Sequence, residues 1–516
     1  MQGKKDYTEK LFLNFQLSDR IPADNFYRKL KEELNLDFLR KTTRKYYGSE
    51  GQSSIDPVVF FKLILIGYLE NLNSDRKIMA HVGMRMDMLY FIGYDIDEAL
   101  PWHSTISRTR QLFGEEIFRG LFKEVLRMCV NKGMVNGKRQ AIDSAYIKAN
   151  ASMDSLIEKQ VIEDADSYMD GLHEEDKTIS ATKKREVEGH HKWKAKEYKG
   201  QHKGNTNKDG DLDEHGNLIR PRFLSNHTHY SKTDPDARIS VKPGKPRQLN
   251  YTAQTVVDTS SHIITTIMAD YSDKRDSQSL TEAITQAQEN LREHDLMVKE
   301  VLADTGYSSG EALKYLNSQN IEAYIPNFGQ YKNTREGFFY NDLLDRYECQ
   351  LGNKAILAFK KISTNNGKNA MKRYSSSSKD CRNCPLRSTC IGKADFKSIT
   401  ETVDKALYDQ MHERLQTAKA RRMKKLRSST VEPVLGTLIN FTGMRRIWTR
   451  GIQQANKFMI GAAIAYNLKK WMKHAPKNNR IRPMIKEELK KPKNNLFSTI
   501  YLQVNSVNFL FIKYSV

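Results

Sequence analysis

The chain has little cysteine, 5 residues in 516, which excludes a disulfide framework as its source of stability. It has no apolar run long enough to cross a bilayer, because the most apolar stretch, Val58–Leu69, contains Lys62 and Gly67. The first ten residues are polar and no apolar segment follows them, so no secretory signal is expected and the protein is expected in the cytoplasm, with no membrane partner. Negative charge is also in deficit: 62 Asp and Glu face 84 Lys and Arg, a formal net charge of +22. Such an excess points to a polyanionic partner, nucleic acid ahead of an anionic membrane surface. The length allows a large core and several domains.

Residues 1–135 read as all-helical. Asp56 followed by Pro57 is a helix start, since Asp caps orphan N–H groups and Pro suits the first turn. A second helix is expected from Ser74 to His81. After a turn-rich D-I-D-E-A-L-P-W, Ser104 opens T-I-S-R-T-R-Q-L-F-G. Ser104, Ser107, Arg108 and Arg110 then fit the second helix of a helix-turn-helix reaching phosphates and base edges. They fit equally the polar face of an ordinary helical bundle. Glu115–Met128 is amphipathic, and Cys129 at its end reads as a core thiol.

Beyond Gly137 the pattern becomes strand-like. Gln140–Lys148 is a strand carrying Asp143. Residues 149–247 form a polar, basic insertion, densest over Lys183–Lys208, where Trp193 and Tyr198 stand among Lys and His. That composition suits an exposed arm against a nucleic-acid backbone or simply a solvated face. From Leu249, two strands joined through Ser260-Ser261-His262 read as a hairpin. A helix over Ser277–Leu291, a strand over Met297–Ala303 ending at Asp304, a helix over Gly310–Ser318 and a short strand before Pro326 follow. This succession is the order of an RNase H-like mixed sheet, with Asp143 and Asp304 on adjacent central strands.

Residues 327–405 interrupt that core and hold Cys349, Cys381, Cys384 and Cys390, the last three in D-C-R-N-C-P-L-R-S-T-C. The set has the ligand count of a tetrahedral structural Zn²⁺, with free thiols or a redox pair as alternatives. A basic helix over Tyr408–Arg427 is followed by Thr430 as a helix cap, which would place Glu432 in a first turn facing the positive end of a helix dipole. Residues 476–516 form a basic tail. The fold class is therefore mixed α/β: an RNase H-like catalytic domain over 136–326 and 406–475, an all-α N-terminal domain over 1–135, and a Cys-rich insertion.

Asp143, Asp304 and Glu432 make a candidate three-carboxylate site. Phosphodiester cleavage concentrates negative charge on the attacking and leaving oxygens, and two Mg²⁺ ions about 4 Å apart can stabilise both. Mg²⁺ takes hard oxygen ligands and keeps several waters, so three carboxylates and a substrate phosphate suffice; Mn²⁺ can substitute.

The ordered set P-W-H-S-T-I-S-R-T-R, D-S-A-Y-I-K-A-N-A, A-D-T-G-Y, the cysteine cluster with C-P-L-R, and T-V-E-P-V-L-G resembles the DDE-class transposases of bacterial insertion sequences. The resemblance implies that Asp143, Asp304 and Glu432 are a metal-binding triad. It implies that the partners are double-stranded DNA, both terminal inverted repeats and target, and that a homodimer forms the synaptic complex. Members often carry an Arg upstream of the Glu and a Lys about two turns downstream. Here Arg427 matches the first at a different spacing, while Ile439 and Asn440 stand near the Lys position and only Arg445 and Arg446 follow. A DNA-gripping role would then pass to an arginine. The alternatives are an RNase H-like nuclease without strand transfer and a transposase-derived DNA-binding protein.

Overall fold

The structure is a computed structural model that describes residues 16–474, apart from 49, 51–53, 242–245, 330, 366–368 and most of 160–223, where only 189, 192–193, 202–203 and 218–219 are described. The chain divides into two units, Met1–Met472 and Lys473–Val516. The expected basic tail over 476–516 and most of the basic arm over Lys183–Lys208 lie outside the described residues.

Helices dominate up to Asn131. The first long one, Pro57–Leu69, is capped by Asp56, whose side chain accepts from Val58 N at 2.7 Å. Nearly every side of it is buried, including Phe60, Phe61, Leu63 and Ile66, so it forms the centre of the bundle. Each such side chain contributes about 1.5–3 kcal/mol by leaving water. The helices Asp75–Gly83, Met86–Ile92, His103–Leu112 and Glu115–Asn131 surround it. Cys129 is fully buried, as expected.

The Ile452–Lys473 helix completes the bundle from the other end of the sequence. Gly461 lets it approach the Pro57–Leu69 helix closely, for a Cβ there would stand 2.3 Å from the Tyr68 ring. The buried Lys457 ammonium donates to the carbonyls of Arg110 (3.2 Å) and Phe113 (2.6 Å). One hydrophobic core takes in residues from Leu17 to Leu468.

The main sheet has β1 (Arg139–Lys148) in the middle. On one side β1 pairs antiparallel with β2 (Gln248–Asp258), which pairs antiparallel with β3 (Ile263–Tyr271). The expected hairpin is formed. On the other side β1 runs parallel to β4 (Glu300–Leu302), and β4 parallel to β5 (Glu322–Tyr324). The spatial order β3-β2-β1-β4-β5 is the RNase H-like arrangement expected; a short strand, Arg238–Ser240, adds to β2. Helix Asp276–Arg292 covers the β2–β3 face with Leu280, Ala283, Ile284, Ala287 and Leu291.

The cysteine-bearing insertion forms its own sheet, which sequence patterning did not announce. Five antiparallel strands, Phe338–Asn341, Arg346–Cys349, Ile356–Asn365, Asn369–Ser375 and Ser398–Thr402, lie in chain order. Their core is small: Tyr347, Leu357, Tyr374 and Ile399.

The expected helix start at Thr430 is corrected. A single 24-residue helix runs Ala418–Phe441, capped by Thr417, whose hydroxyl accepts from Ala420 N at 3.1 Å. Thr430 is buried in mid-helix and Pro433 lies inside the helix. Proline removes the bond to the Ser429 carbonyl, but Ser429 and Pro433 are on the exposed face, where water can satisfy that carbonyl. Glu432 therefore has no helix N-terminus beside it, and the dipole argument does not apply.

Candidate active site

Register brings the two aspartates together. Ala141 on β1 pairs with Leu302 on β4 in parallel. Asp143 and Asp304 each lie two residues further along, so the pleat carries them to the same level and the same face. Asp143 is in the strand; Asp304 caps the turn Thr305–Tyr307, accepting from Gly306 N at 2.9 Å. Burial pushes both carboxyls above the usual range. For Asp143 the neighbouring Asp304 adds to this and Arg427 opposes it; for Asp304 the neighbouring Asp276 adds to it.

The Ala418–Phe441 helix supplies the third carboxylate. It is tied to the sheet by Lys419, whose ammonium reaches Glu300 of β4 (3.0 Å) and Glu322 of β5 (2.7 Å); Glu300 is also held by Arg139 of β1. Further along the same helix, Arg427 donates to Asp143 Oδ2 at 2.9 Å and to Glu432 Oε1 at 3.0 Å. Asp143 and Arg427 are nearly buried (17% and 16% side-chain exposure), whereas Glu432 is open to solvent at 54%.

A fourth acid, missed in the sequence reading, faces the same place. Asp276 Oδ2 and Asp304 Oδ1 both lie 3.1 Å from where a Cβ on Gly306 would stand. Asp276 Oδ1 accepts from Gln254 Nε2 at 3.1 Å, and Gln254 Oε1 accepts from the fully buried Tyr307 hydroxyl at 2.5 Å. This chain of bonds links β2, the Asp304 turn and the start of the Asp276–Arg292 helix. Its only sequence signal is an acidic residue at a helix start.

Among the described residues no group of three or more His, Cys, Asp or Glu is arranged to hold a metal ion. The donor chemistry nonetheless fits a hard divalent cation: carboxylate oxygens, partly desolvated at Asp143 and Asp304 and open to solvent at Glu432. The Arg427 guanidinium stands where positive charge is needed, between Asp143 and Glu432.

The DNA-contact candidates separate. Ser104 and Arg108 are exposed on the His103–Leu112 helix, with Ser107 half-buried beside them. Arg110 does not join them, and this is a correction. Its guanidinium forms a two-pronged pair with Asp75 (2.6 and 3.0 Å) and is 15% exposed. That arginine holds two helices together. Arg445 is exposed and bonded to Asn440; Arg446 donates to Asn150 Oδ1 at 3.0 Å and lies over the Trp448 ring. The segment carrying them joins the end of β1, with Ile447 N donating to Lys148 O at 2.8 Å. Cys349, Cys381, Cys384 and Cys390 line one cavity of the insertion, far along the chain from the carboxylates.

No helix of the described residues is long and apolar enough to cross a membrane. A search of curated proteins finds no match. Among solved structures, a piggyBac transposase synaptic complex with hairpin DNA aligns over 93% of this chain and 82% of that one, at 9% identity and a TM-score of 0.28. Two family models match. A transposase domain (DUF772) covers residues 15–112, the helical bundle, and a transposase DDE domain covers residues 349–472, which hold Glu432 and all four insertion cysteines but neither aspartate. With these two domains on an RNase H-like sheet, the chain belongs to the DDE-type transposases, metal-dependent polynucleotidyl transferases that bind and recombine DNA.

Proposed function

We propose that Asp143, Asp304 and Glu432 are the catalytic, metal-holding carboxylates of an insertion-sequence transposase, and that they take two Mg²⁺ ions, with Mn²⁺ as a substitute. The observation that carries this reading is the shared guanidinium: Arg427 bonds Asp143 and Glu432 at once, while strand register sets Asp304 beside Asp143. Bound divalent cations would supply Lewis-acid stabilisation of the attacking and leaving oxygens. Asp143, central and nearly buried, would hold the ions together with Asp304 and Glu432. Arg427 would leave the carboxylates as cations arrive and turn to the DNA phosphate. Asp276, through Gln254 and Tyr307, would hold the Asp304 turn in place.

The reaction is sequential at one site. Water attacks phosphorus at the element end, the P–O3′ bond breaks, and a free 3′-hydroxyl remains. That hydroxyl attacks a target phosphodiester, forming a new bond and releasing a target 3′-hydroxyl, with no protein–DNA covalent bond. The helices up to residue 135 would grip terminal inverted repeats through Ser104, Ser107 and Arg108, and Arg445 and Arg446 would hold DNA beside the cut. Two copies would be needed to join two ends, so a homodimer on DNA is expected, working with the bacterial chromosome in the cytoplasm.

The test is a strand-transfer assay with labelled element ends and a supercoiled target in Mg²⁺. Joined end–target products are expected. Cleaved ends without any joined product would reduce the protein to a nuclease, and neither product would overturn the reading.

A further inference from the structure

The insertion presents a problem of stability. Among the described residues its apolar cluster has only four buried members, Tyr347, Leu357, Tyr374 and Ile399. Ordering the backbone of a five-stranded sheet with two attached short helices costs more conformational entropy than so small a core offsets. Small cores of this kind are completed by a cross-link.

We infer that the insertion is cross-linked by a structural Zn²⁺ held by Cys349, Cys381, Cys384 and Cys390, in the cavity of about 360 Å³ that all four line. The sequence supplies the ligand count; the fold brings the four, from three separate elements, to the wall of one cavity. Cys349 ends strand Arg346–Cys349, Cys381 lies in the short helix Ser378–Arg382, Cys384 follows it in the turn, and Cys390 closes the helix Arg387–Cys390. Cys384 N donates to Cys381 O at 3.3 Å, and Arg387 N to Cys384 O at 3.0 Å, so the C-x-x-C segment is wound into a tight knuckle. Opposite it, Gly352 has a left-handed φ of 59°, and a Cβ there would sit 2.5 Å from Cys384 Sγ. The strand turn after Cys349 is thus shaped to admit that sulfur.

Two of the thiols are hydrogen-bonded locally. Cys349 donates to Leu351 O at 2.6 Å, and Cys381 Sγ lies 3.0 Å from Ser376 Oγ. As they stand, no three are within one coordination sphere. Zinc would replace these bonds, releasing four thiol protons and closing the cavity around a tetrahedral site of net charge −2. Lys397 and Arg387 also line the cavity and offer compensating positive charge; Lys397 Nζ already donates to Cys390 O at 3.0 Å. Four thiolates favour zinc over the hard cations suited to the carboxylate site. The inference is independent of the catalytic reading.

The test is zinc content of the full chain purified without chelator, measured by elemental analysis. About one zinc per chain is expected from a single closed four-thiolate site. C384S should lose it, whereas C129S, in the helical core, and E432Q should keep it. Should C384S fail to fold, the metal-stripped wild-type chain is titrated with Co²⁺. An intense thiolate-to-cobalt charge-transfer band is expected, weakened in C390S, whose side chain is exposed. Zinc content far below one per chain with no such band would overturn the inference. So would a native mass showing a disulfide among these cysteines, or full zinc retention in C384S.

Discussion

Arg427 stands between Asp143 and Glu432, with one nitrogen 2.9 Å from the strand carboxylate and another 3.0 Å from the helix carboxylate. A single fixed cation thus keeps acids apart in sequence from repelling one another when no divalent ion is bound. Asp304 and Asp276 add further negative charge close by.

Removing Arg427 exposes that balance. R427A should be less stable than wild type in EDTA by about 1–3 kcal/mol, because the nearly buried Asp143 carboxylate loses its partner. It should also be stabilised by Mg²⁺ at several-fold lower concentration, since no guanidinium has to be displaced. Thermal melts across a Mg²⁺ titration read both effects; an unchanged or higher Mg²⁺ midpoint would show that the arginine does not compete.

Asp143, Asp304 and Glu432 are expected to act as one set. D143N, D304N and E432Q should each lower end cleavage by roughly 10³-fold or more, the scale of losing transition-state charge stabilisation. Binding of labelled ends should change little. Wild-type strand transfer by any one of the three would remove that residue from the assignment.

Asp276 is predicted to position rather than to react. D276N should reduce cleavage by about 10–100-fold, as loss of a supporting hydrogen-bonded partner does, with end affinity unchanged. Y307F deletes the hydroxyl that donates to Gln254 and should cost about 1–2 kcal/mol of stability. If D276N cleaves like wild type, the Gln254 bridge is structural only.

Arg108 and Arg110 should part company. R110A leaves Asp75 nearly buried without its partner and should destabilise by about 3–5 kcal/mol. R108A should leave the melting temperature alone and lower the salt dependence of DNA binding by about one counterion. Equal effects of the two on the salt slope would contradict the separation.

Lys62 gives a pH test. It lies in the buried Pro57–Leu69 helix with its ammonium 5.3 Å from the Phe91 ring, and burial pushes its pKa down to about 8. From about pH 8 up to the ordinary lysine range, the unfolded chain binds the extra proton and the folded chain does not, so stability contributed by this group rises with pH. K62M should raise the melting temperature at pH 7, by about 1–2 °C, and the gain should shrink toward pH 10. A gain that grows with pH would reverse the sign assigned to Lys62.

Much of the sheet was legible because its strands alternate with turn signals and its hairpin is short. The Asp143 and Asp304 placement followed from strand order alone. The local signal that singles out Glu432, a helix start at Thr430, is not what sets it beside Arg427. Thr-Val-Glu-Pro carries a strong helix-start signature, yet Lys419 anchoring to Glu300 and Glu322, with Val431, Val434 and Leu438 in the core, keeps one helix running through Pro433. Tertiary contacts overrode a local signal. Arg110 was misread because its partner, Asp75, lies on another helix. The insertion sheet is hard to read in the sequence because Phe339, Ile356, Phe359 and Ile362 of its strands stay exposed, so apolar residues do not mark one buried face.

The Gly461 contact with Tyr68 bears on the order in which the polypeptide can mature. The N-terminal helices are synthesised first, but the surface they present to Gly461 and the carbonyls that Lys457 satisfies wait until the Ile452–Lys473 segment leaves the ribosome. Until then a greasy furrow beside Tyr68 stays uncovered. A truncated product ending before residue 452 should therefore be cut by proteases faster than the full chain.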